Sequence, residues 1–148
     1  MSRVLVDTNV LISALIFAKS TPADALRVVL GERRLVLTQW VLDELHDVVE
    51  RKWPTRQPAL ETFLGRIDYE LAQPGAPSVP ISDPDDQPIL DAAVAAAVDV
   101  IVTGDKHFLS LGLDRPQVLT ARQFLEAYRA STKQFEFWPD YGGWPALD

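Results

Sequence analysis

The chain contains no cysteine, so neither a disulfide framework nor a thiolate metal site is available to it. That lack fits a reducing compartment, and the expected location is cytoplasmic. Histidine is nearly absent too, with two residues in 148, so a metal site would have to be built from oxygen ligands. No apolar run spans a bilayer: the stretch A-A-V-A-A-A-V-D-V-I-V is interrupted by Asp99 and too short. The start, M-S-R-V-L-V-D, enters a strand-like run at once and lacks signal-peptide architecture. No G-x-G-x-x-G follows that run, which removes the usual dinucleotide fingerprint. Positive charge is in deficit, with a formal net charge of −7. A generic basic nucleic-acid binder is thereby excluded. Any grip on a phosphate backbone must be local, weak or assisted by an oligomer.

The composition is that of a soluble globular chain, 47% hydrophobic and 24% charged, long enough for one domain with its own core. Strand and helix patterns alternate, which predicts an α/β domain. The apolar runs Arg3 to Val6, Leu35 to Leu37, Val100 to Val102 and Gln117 to Leu119 read as strands, with Ser78 to Ile81 as a further short one. Val10 to Phe17 reads as a buried helix. The next helix opens with Thr21 as cap and Pro22 at the first helical position, and Gly31 ends it. Thr38 caps a helix whose Val41, Leu42, Leu45, Val48 and Val49 form a 3.6-period stripe, and Trp53-Pro54 stops it. Pro58 to Gln73 has the pattern of an amphipathic helix, with Leu60, Phe63, Leu64, Ile67 and Leu71 on one side. Asp86 to Val98 is an alanine-rich helix, and Thr120 with Gln123 forms a capping box for a last one, ending near Ala130. The boundaries expected are 1–130 for the domain and 131–148 for an aromatic-rich C-terminal tail, which either packs on a surface or stays poorly ordered.

Against this background the acids stand out. Asp7 in V-D-T-N, Glu44 in V-L-D-E-L, Asp86 in D-P-D-D-Q-P-I-L and Asp105 in V-T-G-D-K-H-F all lie at strand ends or within a helix following one. In a parallel sheet these places share one edge, where ligands bind. Carboxylates gathered there repel one another and resist desolvation unless a cation joins them. A divalent metal meets that need, and with it hydrolysis of a phosphodiester. Each acid also has a structural explanation: Asp7, Asp86 and Asp105 as turn or cap residues, and Glu44 as a solvated helix position. Asp83 and Asp85 are rivals of Asp86 for both roles.

The segments V-D-T-N-V-L-I-S-A-L, L-T-Q-W-V-L-D-E-L, D-P-D-D-Q-P-I-L-D-A-A and I-V-T-G-D-K-H-F-L together resemble a PIN domain, over roughly residues 2 to 128. The likeness is to prokaryotic PIN proteins described as VapC-like toxin components of toxin–antitoxin pairs. It implies a single Rossmann-like domain, with a mostly parallel central sheet of about five strands and helices on both faces. It implies a Mg²⁺- or Mn²⁺-dependent endoribonuclease with Asp7, Glu44, Asp86 and Asp105 as catalytic metal ligands. Thr8, Asn9 and Thr103 would support them, and Gly104 would permit a tight turn before Asp105. An antitoxin protein and a second copy of the chain are the implied partners.

Oxygen ligands without cysteine suit Mg²⁺ rather than zinc. Lys106 and His107 are candidate RNA contacts at the rim, and Lys19, Arg27, Arg33 and Arg34 are candidate backbone contacts elsewhere. For all of these, exposed surface residues are the plain alternative. An aspartyl-phosphate phosphatase would place a second Asp where Asn9 stands, and a receiver domain orders its acids, Thr and Lys differently. The alternative of another class is a PIN-scaffold binding module with weak or no catalysis, which the acidic charge balance favours.

Overall fold

A computed structural model describes residues 2–73, 75 and 87–128. Its centre is a five-stranded sheet, all parallel among the described residues, in the order β3-β2-β1-β4-β5. The strands are β1 (Arg3–Val6), β2 (Arg34–Thr38), β3 (Glu70–Ala72), β4 (Val100–Val102) and β5 (Gln117–Leu119). Val4, Leu5 and Val6 are all buried, as are Leu35, Val36 and Leu37 and Val100, Ile101 and Val102. Successive strand side chains point to opposite faces. Burial of consecutive residues therefore requires cover on both faces, and the helices supply it.

Helices α1 (Thr8–Ile16) and α2 (Thr21–Glu32) connect β1 to β2 and pack on each other. Helix α3 (Gln39–Lys52), a short 3₁₀ turn at Pro54–Arg56, and α4 (Gln57–Arg66) lead to β3. The remaining helices are α5 (Gln87–Ala95), α6 (Lys106–Leu109) and α7 (Ala121–Tyr128), the last resting against α2. No helix among the described residues is long and apolar enough to cross a membrane.

The chain moves outward from β1 through β2 to β3, then returns past β1 to β4 and β5. The order thus reverses at β1 and β4, and the crevice at such a reversal is where open α/β sheets place ligands. Register fixes which residues meet there. Leu5 pairs with Val36 and Val6 with Val102, so two and one residues further on Asp7 stands between Thr38 and Thr103.

Several local expectations need correction. Ser20, not Thr21, caps α2: its hydroxyl accepts from the Ala23 N–H at 3.2 Å. The preceding residue takes the role because Thr21 already has helical geometry, which puts Pro22 second in the helix. Gly31 does not end that helix, which continues to Glu32. The helix expected over 58–73 closes at Arg66, and Glu70–Ala72 pairs with β2 as an edge strand. Helix α5 ends at Ala95 rather than Val98, through a left-handed Ala97 with φ 53°. The strand expected over 78–81, the site candidate Asp86 with its rivals Asp83 and Asp85, and the tail 131–148 lie outside the described residues.

Candidate functional site

Asp7 is the residue immediately beyond β1 and the N-cap of α1. Its backbone is held in the sheet by donating to the Val102 carbonyl at 3.0 Å, and its carbonyl accepts from Val10 and Leu11. The side chain is consequently fixed at the junction and only 7% exposed. One carboxylate oxygen, Oδ1, accepts from the Thr8 N–H at 2.8 Å. The other, Oδ2, accepts from the Thr103 hydroxyl, also at 2.8 Å.

Thr103 is fully buried at the end of β4, its N–H given to the Leu119 carbonyl. Its hydroxyl has a second task, accepting from the Asp105 N–H at 3.1 Å. One hydroxyl therefore joins Asp7 to the backbone of Asp105. Asp105 in turn caps α6 by accepting from the His107 N–H at 2.8 Å. This spacing, Thr-x-Asp, bends the chain so that the hydroxyl faces one strand and the acid begins the next helix.

Burial is the main influence raising the Asp7 pKa above its ordinary value. The hydrogen bonds from Thr103 and Thr8 oppose it, and the negative charge of Asp105 adds to the rise. Among the described residues neither Asp7 nor Asp105 has an ion pair with Lys or Arg. Two acids within electrostatic reach, bonded to neutral donors and backbone, make a donor set suited to a hard divalent cation. Among the described residues the buried Thr8 hydroxyl beside them has no hydrogen-bond partner.

The other candidates are placed differently. Glu44 is exposed on α3. Among the described residues no group of three or more His, Asp or Glu side chains gathers at metal-binding distance. Asn9 is exposed as well; its Oδ1 lies 3.4 Å from the Gly104 N–H, reaching the β4–α6 turn rather than Asp7. Gly104 lacks a left-handed φ, and a side chain there would meet only ordinary contacts with Asn9, so the turn does not require glycine. Lys106 and His107 are exposed on the first turn of α6, next to Asp105.

Arg27 is bound to Asp24 and to the Ala18 carbonyl. Arg34 opens β2, at the opposite edge of the sheet from Asp7, and pairs with Glu70. Arg33, one residue earlier, lies over the Tyr128 ring. These three serve the fold. Thr103, expected as a supporting residue from the Thr-x-Asp pattern, bonds the Asp7 carboxylate and the Asp105 N–H; what the pattern alone did not reveal is that one hydroxyl serves both acids.

Comparison with known proteins agrees with this geometry. No curated protein matches the chain. Among solved structures, it is similar to a chain in the crystal structure of VapBC2 from Rickettsia felis bound to a DNA fragment from their promoter. The identity is 19%, the TM-score 0.58, and the match covers 79% of this chain and 96% of that one. It is likewise similar to a chain in DNA-bound VapBC from Salmonella typhimurium, at 20% identity and a TM-score of 0.58, over 80% of this chain and 97% of that one. Identities this low show a shared fold. The model of the PIN domain family matches residues 3–107, well over half of the sequence. An all-parallel sheet that reverses at β1, with Asp7 and Asp105 at the reversal and a family match running through both, establishes that the chain belongs to the PIN domain family.

Proposed function

We propose that this protein is a Mg²⁺- or Mn²⁺-dependent endoribonuclease, acting in the cytoplasm as the toxin of a toxin–antitoxin pair. The observation that carries the reading is the buried Asp7 carboxylate at the sheet reversal, aimed by Thr103 and Thr8 and facing the charge of Asp105. Keeping a carboxylate there without a cationic side chain among the described residues is unfavourable for folding alone, which supports a role in holding a cation.

In this reading Asp7 is the central metal ligand and Asp105 a second. Asp86 joins them directly or through water, and Glu44 binds a second ion or orients the attacking water. A bound divalent ion would lower the pKa of a water and neutralise charge developing on the phosphodiester. Thr103 holds Asp7 in orientation, the part that ligand-bonding neighbours play in metal sites. Thr8 restrains the same carboxylate through its N–H, and Asn9 steadies the turn before Asp105. Lys106 and His107, exposed at the rim, would meet RNA phosphates. An antitoxin protein is the expected partner, in line with the VapBC assemblies that share the fold, and the chain would pair with a second copy.

One observation favours a second reading, a PIN-scaffold module with weak catalysis: Glu44 is exposed, and among the described residues no three acids or histidines gather at metal-binding distance. Titration with Mg²⁺ or Mn²⁺ by calorimetry separates the two, since the scaffold reading requires no binding at millimolar metal. The direct test is incubation with structured and unstructured RNA in Mg²⁺, Mn²⁺ and EDTA. Cleavage should appear with either ion and vanish in EDTA. RNA left intact under every metal condition would remove the nuclease reading.

A further inference from the structure

The carboxyl edge of the sheet carries more than acids. Register sets Thr38 beside Asp7 on the neighbouring strand, about 4.8 Å away by ordinary strand spacing. Thr38 caps α3 by accepting from the Val41 N–H at 3.0 Å, so that helix begins one strand from the buried acid. Its second residue is Trp40, 43% exposed. An indole is costly to leave in water when a surface could cover it.

A cavity of about 660 Å³ opens beside Trp40, within the range of small-ligand sites. Trp40, Pro88 and Ala92 give it apolar surface, and Gln39, Asp43 and Asp91 give it polar walls. The Gln39 amide donates to Asp43 Oδ1 at 2.8 Å, which fixes the orientation of that carboxylate. Two carboxylates in the wall repel phosphate but accept hydrogen bonds from amino groups. The lining therefore suits the base of a nucleotide and not its backbone.

We propose that this cavity is a nucleobase subsite, in which Trp40 stacks on one unpaired base of single-stranded RNA next to the bond held at Asp7. Single-stranded RNA is read in this way, by stacking on aromatic side chains and by hydrogen bonds to exposed base edges. Asp43 accepts from an exocyclic amino group, as carboxylates do from cytosine, so adenine, cytosine and guanine are taken in preference to uracil. The phosphates run outside, along the edge that carries Asp7 and Asp105. The inference rests on the ribonuclease reading for its substrate, but its test does not depend on cleavage.

The measurement is fluorescence anisotropy of labelled 2′-O-methyl oligonucleotides of A, C, G or U, in EDTA, with the full chain. Trp40→Ala should weaken binding between about five- and 150-fold, the range for a lost base–aromatic stack, while Trp40→Phe stays within a few-fold of the unaltered protein. Asp43→Asn should narrow the disadvantage of the U oligomer. Thermal melting of each variant checks that it is folded. If the chain binds through Trp40 yet cuts no RNA in Mg²⁺, the subsite stands and the nuclease reading falls. If it cuts RNA while Trp40→Ala leaves both affinity and KM unchanged, the subsite is overturned and the nuclease reading stands. Absence of oligonucleotide binding by the unaltered protein also overturns the subsite.

Discussion

The Thr103 hydroxyl donates to Asp7 Oδ2 at 2.8 Å, linking the ends of two adjacent parallel strands across 96 residues of sequence. The same oxygen accepts from the Asp105 N–H, so both acids depend on it. Thr103→Val keeps the shape but deprives Asp7 of a donor and Asp105 of an acceptor. Leaving buried polar groups unsatisfied costs about 1–3 kcal/mol, and chemical denaturation should show a loss of that size. Thr103→Ser should recover most of it. Any metal affinity should fall about 10–100-fold in the valine variant, the usual effect of removing a group that orients a ligand.

The raised pKa of Asp7 makes a prediction about stability with a definite sign. An acid whose folded value lies above its ordinary 3.8 binds its proton more tightly in the fold than in the unfolded chain. Ionisation therefore weakens the fold as pH climbs from that ordinary value through the raised one, and the penalty is complete only above the raised value. Asp7→Asn removes the charge while keeping an acceptor for the Thr8 N–H. In EDTA at pH 7 its Tm should rise by a few degrees, and the advantage should shrink at pH 4. Added Mg²⁺ should raise the Tm of the unaltered protein by mass action and leave the asparagine variant unmoved.

Helix α5 ends in a Schellman arrangement. The Val98 N–H reaches the Ala93 carbonyl at 3.0 Å and the Ala97 N–H the Val94 carbonyl at 3.1 Å. The residue that must turn left-handed is Ala97, at φ 53°, where glycine is strongly preferred. Ala97→Gly should stabilise the domain by about 0.5–1 kcal/mol, the strain relieved exceeding the entropy added to the unfolded chain. Equilibrium urea unfolding would detect it as a higher midpoint at unchanged m-value.

His46 ties α3 to α4. One ring nitrogen lies 2.7 Å from the Leu42 carbonyl and the other 2.6 Å from Glu61. Burial pulls its pKa down, but the Leu42 carbonyl, the Glu61 hydrogen bond and charge, and the Asp43 charge outweigh it and hold the value above 6.5. The stabilisation is thus fully present below pH 6.5 and is lost as pH rises through the raised value. Because the pair is largely exposed, its worth is under about 1 kcal/mol. Glu61→Gln should flatten the Tm profile from pH 6.5 upward, and NMR titration of His46 should show its pKa moving down.

Much of the architecture was legible because it is written locally. Strands β1, β2 and β4 are unbroken apolar runs, and Thr38, Asp105 and Thr120 sit where caps are needed. The Thr120–Gln123 box forms as expected, with reciprocal bonds of 2.9 and 3.0 Å. Strand β3 was hidden because Leu71 follows Ile67 at helical spacing, while its pairing with β2 is a non-local contact that no period reveals. The end of α5 was hidden because alanine, a strong helix former, stands where glycine would mark the stop. At the site, Asp7 and Asp105 could be placed from strand ends alone. The hydroxyl between them could not, since the register of β1 against β4 decides it. Glu44 shows the opposite limit: its place in V-L-D-E-L is legible, but whether it turns to a ligand or to solvent is not written locally, and in the structure it is exposed.

The central claim is that the Asp7 carboxylate serves metal-dependent cleavage of RNA. The most direct measurement is the single-turnover cleavage rate of Asp7→Asn against the unaltered protein, on the same RNA in Mg²⁺, with both shown to be folded by melting. The rate should fall at least about 100-fold, to the level of the unaltered protein in EDTA, as expected when a charge-stabilising group is removed. Equal rates for the two proteins, persisting in EDTA, would contradict the account.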